Sequence, residues 1–446
     1  MLKAFNNYTP PAALTGSMRD FRYPKGSDLE ARVGGFFKWQ NLRRQNGLWP
    51  FSRSTEESPS TVCAARDDAG GKIQGVNFAS QDYLSMSTNP VIKKVAQDVI
   101  EEFGVHSAGS AALLGNTHHS VLLERKIADF LGMPEAILFP TGWAAGYGVI
   151  KGLVRSTDHI VMDSLAHTCL QEGASAATRN IYLFRHNMVG ECRKWLEKIR
   201  AKDKENGIMV VIESLYSMDS DTPDIGAMQA LCDEFDATLM VDVAHDLGNL
   251  GDDGRGHIGM QGMLGKVDLV MGSFSKTFGS NGGFVGCRSR EVKEYLRFYS
   301  PPCTFSNALS PMQAATVLKA FEIIESVEGA ELRNKLMTNV LSLRRQLVEA
   351  GFEVYGDPSA IVCVKVGTEG LARLVSRRLP EAGLIANLVE FPAVPKGQAR
   401  FRMQVMANHT PQNIRDAVLR LKDAYEAGLA EFEAQAETPE QIRATA

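Results

Sequence analysis

Five short apolar runs constrain this chain more than any other feature: 136–140, 159–162, 208–212, 238–241 and 268–271. Each is nearly continuous in Ile, Leu, Val, Met and Phe, without the alternation of a strand that has one face in water. Between most of them lie segments with helical spacing of apolar residues, such as 120–132 and 226–236. Strands apolar on both faces need cover on both faces, and strands joined through helices run parallel. The expected fold is therefore α/β, a mostly parallel sheet between helices, with its ligand site at the C-terminal ends of the strands.

Around that domain the pattern divides the chain into four parts. Residues 1–75 read as an N-terminal arm and first helix, with Pro10, Pro11 and Pro24 breaking the first 35 residues. Within 36–55, Phe36, Phe37, Trp39 and Leu42 stand at near-helical spacing and predict a packed face rather than a nucleic-acid contact. Residues 76–308 form the large domain. Residues 309–428 supply a long helical segment (309–351) and a smaller C-terminal α/β domain with alternating strands near 361 and 401. Residues 429–446, rich in Ala and Glu, read as a frayed tail.

A formal net charge of −4 over 446 residues gives no general attraction to nucleic acid or to an acidic membrane. No run approaches the roughly 18 apolar residues of a membrane span. The N-terminus lacks the layout of a secretory signal. Seven scattered cysteines with no Cys-x-x-Cys pair fit reduced thiols, and no His/Cys spacing suggests a metal. A cytoplasmic enzyme without a metal is expected.

The chemistry collects just past the strands. After 268–271 comes Gly-Ser-Phe-Ser-Lys276-Thr-Phe-Gly, followed by the glycine-rich Asn281-Gly282-Gly283. Small residues around one lysine let backbone and hydroxyls approach a flat ring. A lysine in a dry site can form a Schiff base with an aldehyde cofactor. The alternative is a surface lysine in a Ser/Gly loop. After 136–140, Thr141-Gly142-Trp143 opens a helix whose free N–H groups suit a phosphate. After 238–241 stands Asp242, followed by His245. A buried aspartate needs a cation, which a protonated pyridine nitrogen would supply; capping the next segment is the other reading. An anion cradle, an aspartate and a lysine on successive strand ends are what a pyridoxal 5'-phosphate (PLP) site requires.

Separated blocks then carry a resemblance: Gln81-Asp82-Tyr83-Leu84, Asp163-Ser-Leu-Ala-His167, Glu213 to Asp221, Asp242-Val-Ala-His245, Ser273-Phe-Ser-Lys276 and Thr304-Phe-Ser306-Asn307. With Pro392 to Arg402 and His409-Thr-Pro, which are especially similar to the glycine C-acetyltransferase members, residues 75–425 resemble the α-oxoamine synthases. These are fold-type-I PLP enzymes that join an amino acid to an acyl thioester with loss of CO2. The resemblance implies a homodimer with shared sites and a role for each matching residue. Lys276 would bind the cofactor and move the Cα proton, Asp242 would pair with the ring nitrogen, and His167 would stack on the ring and place the thioester. His245 and Ser217 would bond the ring 3'-oxygen. Gly142, Trp143 and Ser273 would hold the phosphate, with Ser306 and Asn307 reaching it from the neighbouring subunit. Arg402 would fix the amino acid's carboxylate, with Gln81 nearby.

The chain departs from the family's pattern at several of these places. Gln81 stands for the usual Asn, and Ser306-Asn307 for Ser-Thr. Glu390-Phe391 occupies the place of an arginine in the biotin-pathway synthase, which argues against a long dicarboxylic acyl chain. The segment from Ser164 with His186-Asn187 is similar to the quorum-sensing autoinducer synthases. The leading expectation is a C-acyltransferase that uses glycine, serine or alanine with an acyl-coenzyme A or acyl-carrier-protein donor. An aminotransferase of the same fold and a catalytically silent partner subunit are the alternatives.

Overall fold

The computed structural model describes residues 9–444, with side chains as far as 435. It divides into two compact units. The first comprises the chain up to Ser80, the short piece Met218–Ser220 and the chain from Leu336 onward; the second comprises Gln81–Ser217 and Asp221–Lys335.

The second unit is built on a seven-stranded sheet. In spatial order its strands are Glu135–Phe139, Gly283–Cys287, Leu269–Ser273, Thr238–Asp242, Ile208–Glu213, His159–Asp163 and Ile181–Phe184. The last five run parallel, and Gly283–Cys287 runs antiparallel to both its neighbours. All five apolar runs are strands here. All five end on the same side of the sheet, where the parallel order places Asp163, Glu213, Asp242 and Ser273 on successive strands. The sheet is buried against the helices Gly142–Leu153 and Thr168–Ala177 through Ile137, Val149, Ile150, Met162, Leu170, Val211 and Met271. Burying such side chains stabilises by roughly 1.5–3 kcal/mol each, which is why the runs tolerate so few polar residues.

The first unit holds two four-stranded sheets. One, of Val354–Tyr355, Ile361–Gly367, Ala399–Gln404 and Asn387–Val389, is wholly antiparallel. The other takes Ser54–Thr55, Val62–Arg66 and Lys72–Asn77 from the N-terminal region and pairs Leu384–Ile385 in parallel with the last of them. The Gly34–Gln45 helix brings Phe36 and Trp39 against Phe21 and Trp49, as the spacing predicts. Phe37 departs from that expectation: it lies one step round the helix and is 57% exposed.

Two further features differ from the sequence reading. The helical segment 309–351 is two helices, Pro311–Ile324 and Val327–Glu349. Ser326 donates to the Ile323 carbonyl and accepts from the Gly329 N–H, and a Cβ at Gly329 would lie 2.3 Å from that same carbonyl oxygen. The glycine thus permits a close backbone approach at the break that no apolar period reveals. The tail expected to fray from 429 continues the helix Pro411–Ala444, and residues 1–8 of the arm lie outside the described part.

Candidate active site

Strand register assembles the site in the second unit. Glu213 is paired with Asp242 across neighbouring strands, and Gly283 is paired with both Ser273 and Phe139. That last row brings Ser273 beside the start of the Gly142–Leu153 helix. A Cβ on Gly142 would lie 2.3 Å from Ser273 Oγ, and one on Gly283 would lie 2.6 Å from the Thr141 carbonyl. Only hydrogen fits at either position. Thr141 caps the helix by accepting from the Ala144 N–H at 3.0 Å, so the amides of Gly142 and Trp143 stand ahead of its hydrogen-bonded turns. Ser273 Oγ sits 2.8 Å from Ser275 Oγ. Trp143 is half exposed and stacks on Tyr147.

Asp242 is 6% exposed and accepts the Ala244 N–H at 2.9 Å. Burial raises its pKa, while the positive fields of Lys276 and His167 pull it back down. Its strand neighbour Glu213 is also buried, and desolvation together with the Asp242 charge pushes it well above the ordinary carboxyl range. Two carboxyls side by side in a dry place cannot both ionise without further positive charge. Lys276 is partly buried in the turn after Leu269–Ser273 and acts electrostatically on both. His245 Nδ1 lies 3.0 Å from the Tyr83 hydroxyl. His167 caps the Thr168–Ala177 helix through Nδ1.

Asp242 therefore lies within electrostatic reach of both Lys276 and His167, and Gly142 abuts Ser273. Ser217 is partly buried beyond the Ile208–Glu213 strand, and Gln81 is partly buried before the buried Asp82. Ser306 and Asn307 lie on an outer segment, where Asn307 Nδ2 is 2.9 Å from His106 Nε2 and an isolated bridge joins Asn307 to Ser110. Arg402 belongs to the first unit, on the Ala399–Gln404 strand, and its Nε is buried without an acceptor among the described residues.

The structure adds three residues to which the sequence reading gave no role: Tyr83 on His245, Glu213 on Asp242, and Cys169 on His167, with Sγ to Nδ1 at 3.0 Å. Glu390 receives a different explanation from the one its motif suggested. Its carboxylate is held between two buried arginines, Arg43 at 3.0 Å and Arg373 at 2.8 Å. The acid at this position is thus accounted for by an internal ion triad.

A fully buried aspartate beside a lysine, and a glycine cradle at a helix start that any side chain would fill, fit PLP. Residues 73–421 match the model of the family described as aminotransferase class I and II. The chain belongs to that family, in its α-oxoamine synthase branch. It is 32% identical over 401 residues to the 2-amino-3-ketobutyrate coenzyme A ligase of Salmonella typhimurium, spanning 90% of this chain and 96% of the relative. It is 34% identical over 346 residues to the 8-amino-7-oxononanoate synthase of Pectobacterium atrosepticum, spanning 77% and 88%. The solved serine palmitoyltransferase from S. paucimobilis, with bound PLP–myriocin aldimine, superposes with a TM-score of 0.84 at 29% identity, covering 90% of this chain and all of that one. This oxoamine synthase is thus a PLP-dependent acyltransferase of fold type I, whose relatives carry out decarboxylative condensation with an acyl thioester. Among the described residues no helix is long and apolar enough to cross a membrane.

Proposed function

We propose that this enzyme condenses a small amino acid (glycine, serine or alanine) with the thioester of coenzyme A or an acyl carrier protein, releasing CO2, free thiol and an α-aminoketone. The observation that carries the reading is the grouping of Lys276 and His167 around Asp242 beyond the strand ends of one sheet, with the Gly142 cradle on the same sheet. The relatives' names, which include a coenzyme A ligase and a serine palmitoyltransferase, support the choice of substrates.

Bound PLP would supply an electron sink for the negative charge left at the amino acid's Cα. Lys276 would hold it through Nζ and, once displaced by the incoming amine, would take the Cα proton. Asp242 would keep its charge against the ring nitrogen, which offsets the cost of burying it. His167 would cover the ring face and meet the thioester. His245, steadied by Tyr83, and Ser217 would donate to the ring oxygen. The amides of Gly142 and Trp143 and the Ser273 hydroxyl would hold the phosphate at a helix start that favours anions. For Arg402 the support is chemical: its planar fork suits a carboxylate, and its Nε awaits an acceptor. Gln81 would face the same substrate.

We infer a homodimer as the working form. Leu113, Leu114 and Phe305 are 84%, 91% and 86% exposed around the Ser110–Asn307 bridge. Such apolar exposure beside Ser306 and Asn307 suits a face covered by a second copy that shares the phosphate site.

The test is thiol and CO2 release by purified enzyme given amino acid and acyl thioester, singly and together. Release of both products in equal amounts, only when both substrates are present, is expected. Turnover of amino acid with a keto acid and no thioester would contradict the reading and indicate transamination.

A further inference from the structure

We propose that Cys169 is a positioning residue that fixes the ring tautomer of His167, keeping the His167 proton on Nε2. The proposal rests on the reading of His167 as the residue that meets the thioester.

His167 is the N-cap of the Thr168–Ala177 helix, and its Nδ1 receives the Cys169 backbone N–H at 3.3 Å. A backbone N–H can only donate, but at 3.3 Å this bond is long, so it favours a lone pair on Nδ1 without by itself fixing the ring. The Cys169 thiol lies 3.0 Å from the same nitrogen, and with Nδ1 accepting, the sulfur must be the donor. Two donors thus converge on one ring atom, and the ring hydrogen is left to Nε2.

The thiol is confined to this role. It is buried, and a Cβ on Gly146 of the neighbouring helix would lie 2.6 Å from Sγ, so the sulfur fills the space that this glycine leaves. Burial, then the charges of Asp242 and Glu213, push the thiol pKa well up, so the S–H persists as a donor. A residue two positions from the histidine, on the first turn of the helix that the histidine caps, therefore decides what His167 offers. It offers an N–H to an acceptor oxygen, which suits polarising a thioester carbonyl, and Nε2 cannot act as a base.

The test is nitrogen NMR of holoenzyme labelled with 15N-histidine, with the His167 signals assigned by their disappearance in His167→Asn. In the wild type we expect a protonated Nε2 and an unprotonated Nδ1. Cys169→Ala should show a mixture of tautomers, with kcat lowered about tenfold, the worth of about one hydrogen bond in the transition state, and amino acid KM within about twofold of the wild type. Cys169→Ser, which restores a donor, should recover both the tautomer and most of kcat. A wild-type proton on Nδ1, or a Cys169→Ala protein whose His167 signals match the wild type whatever its kcat, would overturn the proposal. The tautomer is read without turnover, so a wrong substrate assignment would leave this result unchanged.

Discussion

His186 shows how one side chain can couple two loops beside the site. Its Nδ1 lies 3.0 Å from Asp163 Oδ1 and its Nε2 2.8 Å from Asp221 Oδ2. Burial works against its charge, but the bonds to the two carboxylates outweigh that and raise its pKa to about 10. Because this value lies above the ordinary one, the stabilisation is complete below about pH 6.5, fades as pH rises toward 10 and is absent above. His186→Gln should therefore cost roughly 1–2 kcal/mol near pH 6, the full shift being discounted for partial exposure, and little at pH 10. Thermal unfolding of both proteins across that range measures it, and parallel curves would refute the assignment. Asp163 also accepts the Leu165 and Asn187 amides, so the same variant should loosen the loop that carries His167. The candidate residues Lys276, Asp242, His167 and His245 stand out in the sequence because each directly follows or lies near the end of an apolar run. Tyr83 and Cys169 were not. Tyr83 stands 162 positions from the histidine it touches, and the thiol's role depends on a distance that no spacing rule encodes.

At the level of elements, two features make the proposed phosphate cradle: a helix start and the strand row facing it. Both depend on the absence of side chains at Gly142 and Gly283. Gly142→Ala would place a methyl 2.3 Å from Ser273 Oγ and push the helix start off the strand. PLP affinity should fall by at least about a hundredfold, since two amides and a hydroxyl would move together away from the phosphate. Equilibrium dialysis against PLP is the measurement, and affinity within threefold of the wild type would contradict the cradle. The five strands were readable because burial on both faces removes polar residues from them. The split between Pro311–Ile324 and Val327–Glu349 was not, because Ser326 and Gly329 act through backbone approach while the apolar period continues.

For the molecule as a whole, the described part of the N-terminal region, from residue 9, belongs to the first unit. Arg43 and Arg373 are both fully buried on Glu390, and Arg373 also donates to the carbonyls of Thr15 and Gly16. Burial lowers the Arg43 pKa to about 10 even with Glu390 beside it, a sign of how costly that charge would be alone. Glu390→Ala should therefore destabilise this unit by roughly 3–5 kcal/mol, the usual cost of breaking a buried ion group from one side. Urea unfolding followed by the tryptophans at 39 and 49 reads it directly, and a loss below 1 kcal/mol would mean that the triad is not structural. From sequence Glu390 registered only as the absence of a family arginine, because a family position carries no record of partners that lie 347 and 17 residues away.

The central claim is that one lysine, at the end of one strand, holds the cofactor. Borohydride reduction of the PLP-loaded enzyme, followed by proteolysis and mass spectrometry, tests it most directly. A phosphopyridoxyl group is expected on the peptide containing Lys276 and on no other lysine, and none after Lys276→Ala. Labelling of a different lysine, or of none, would contradict it.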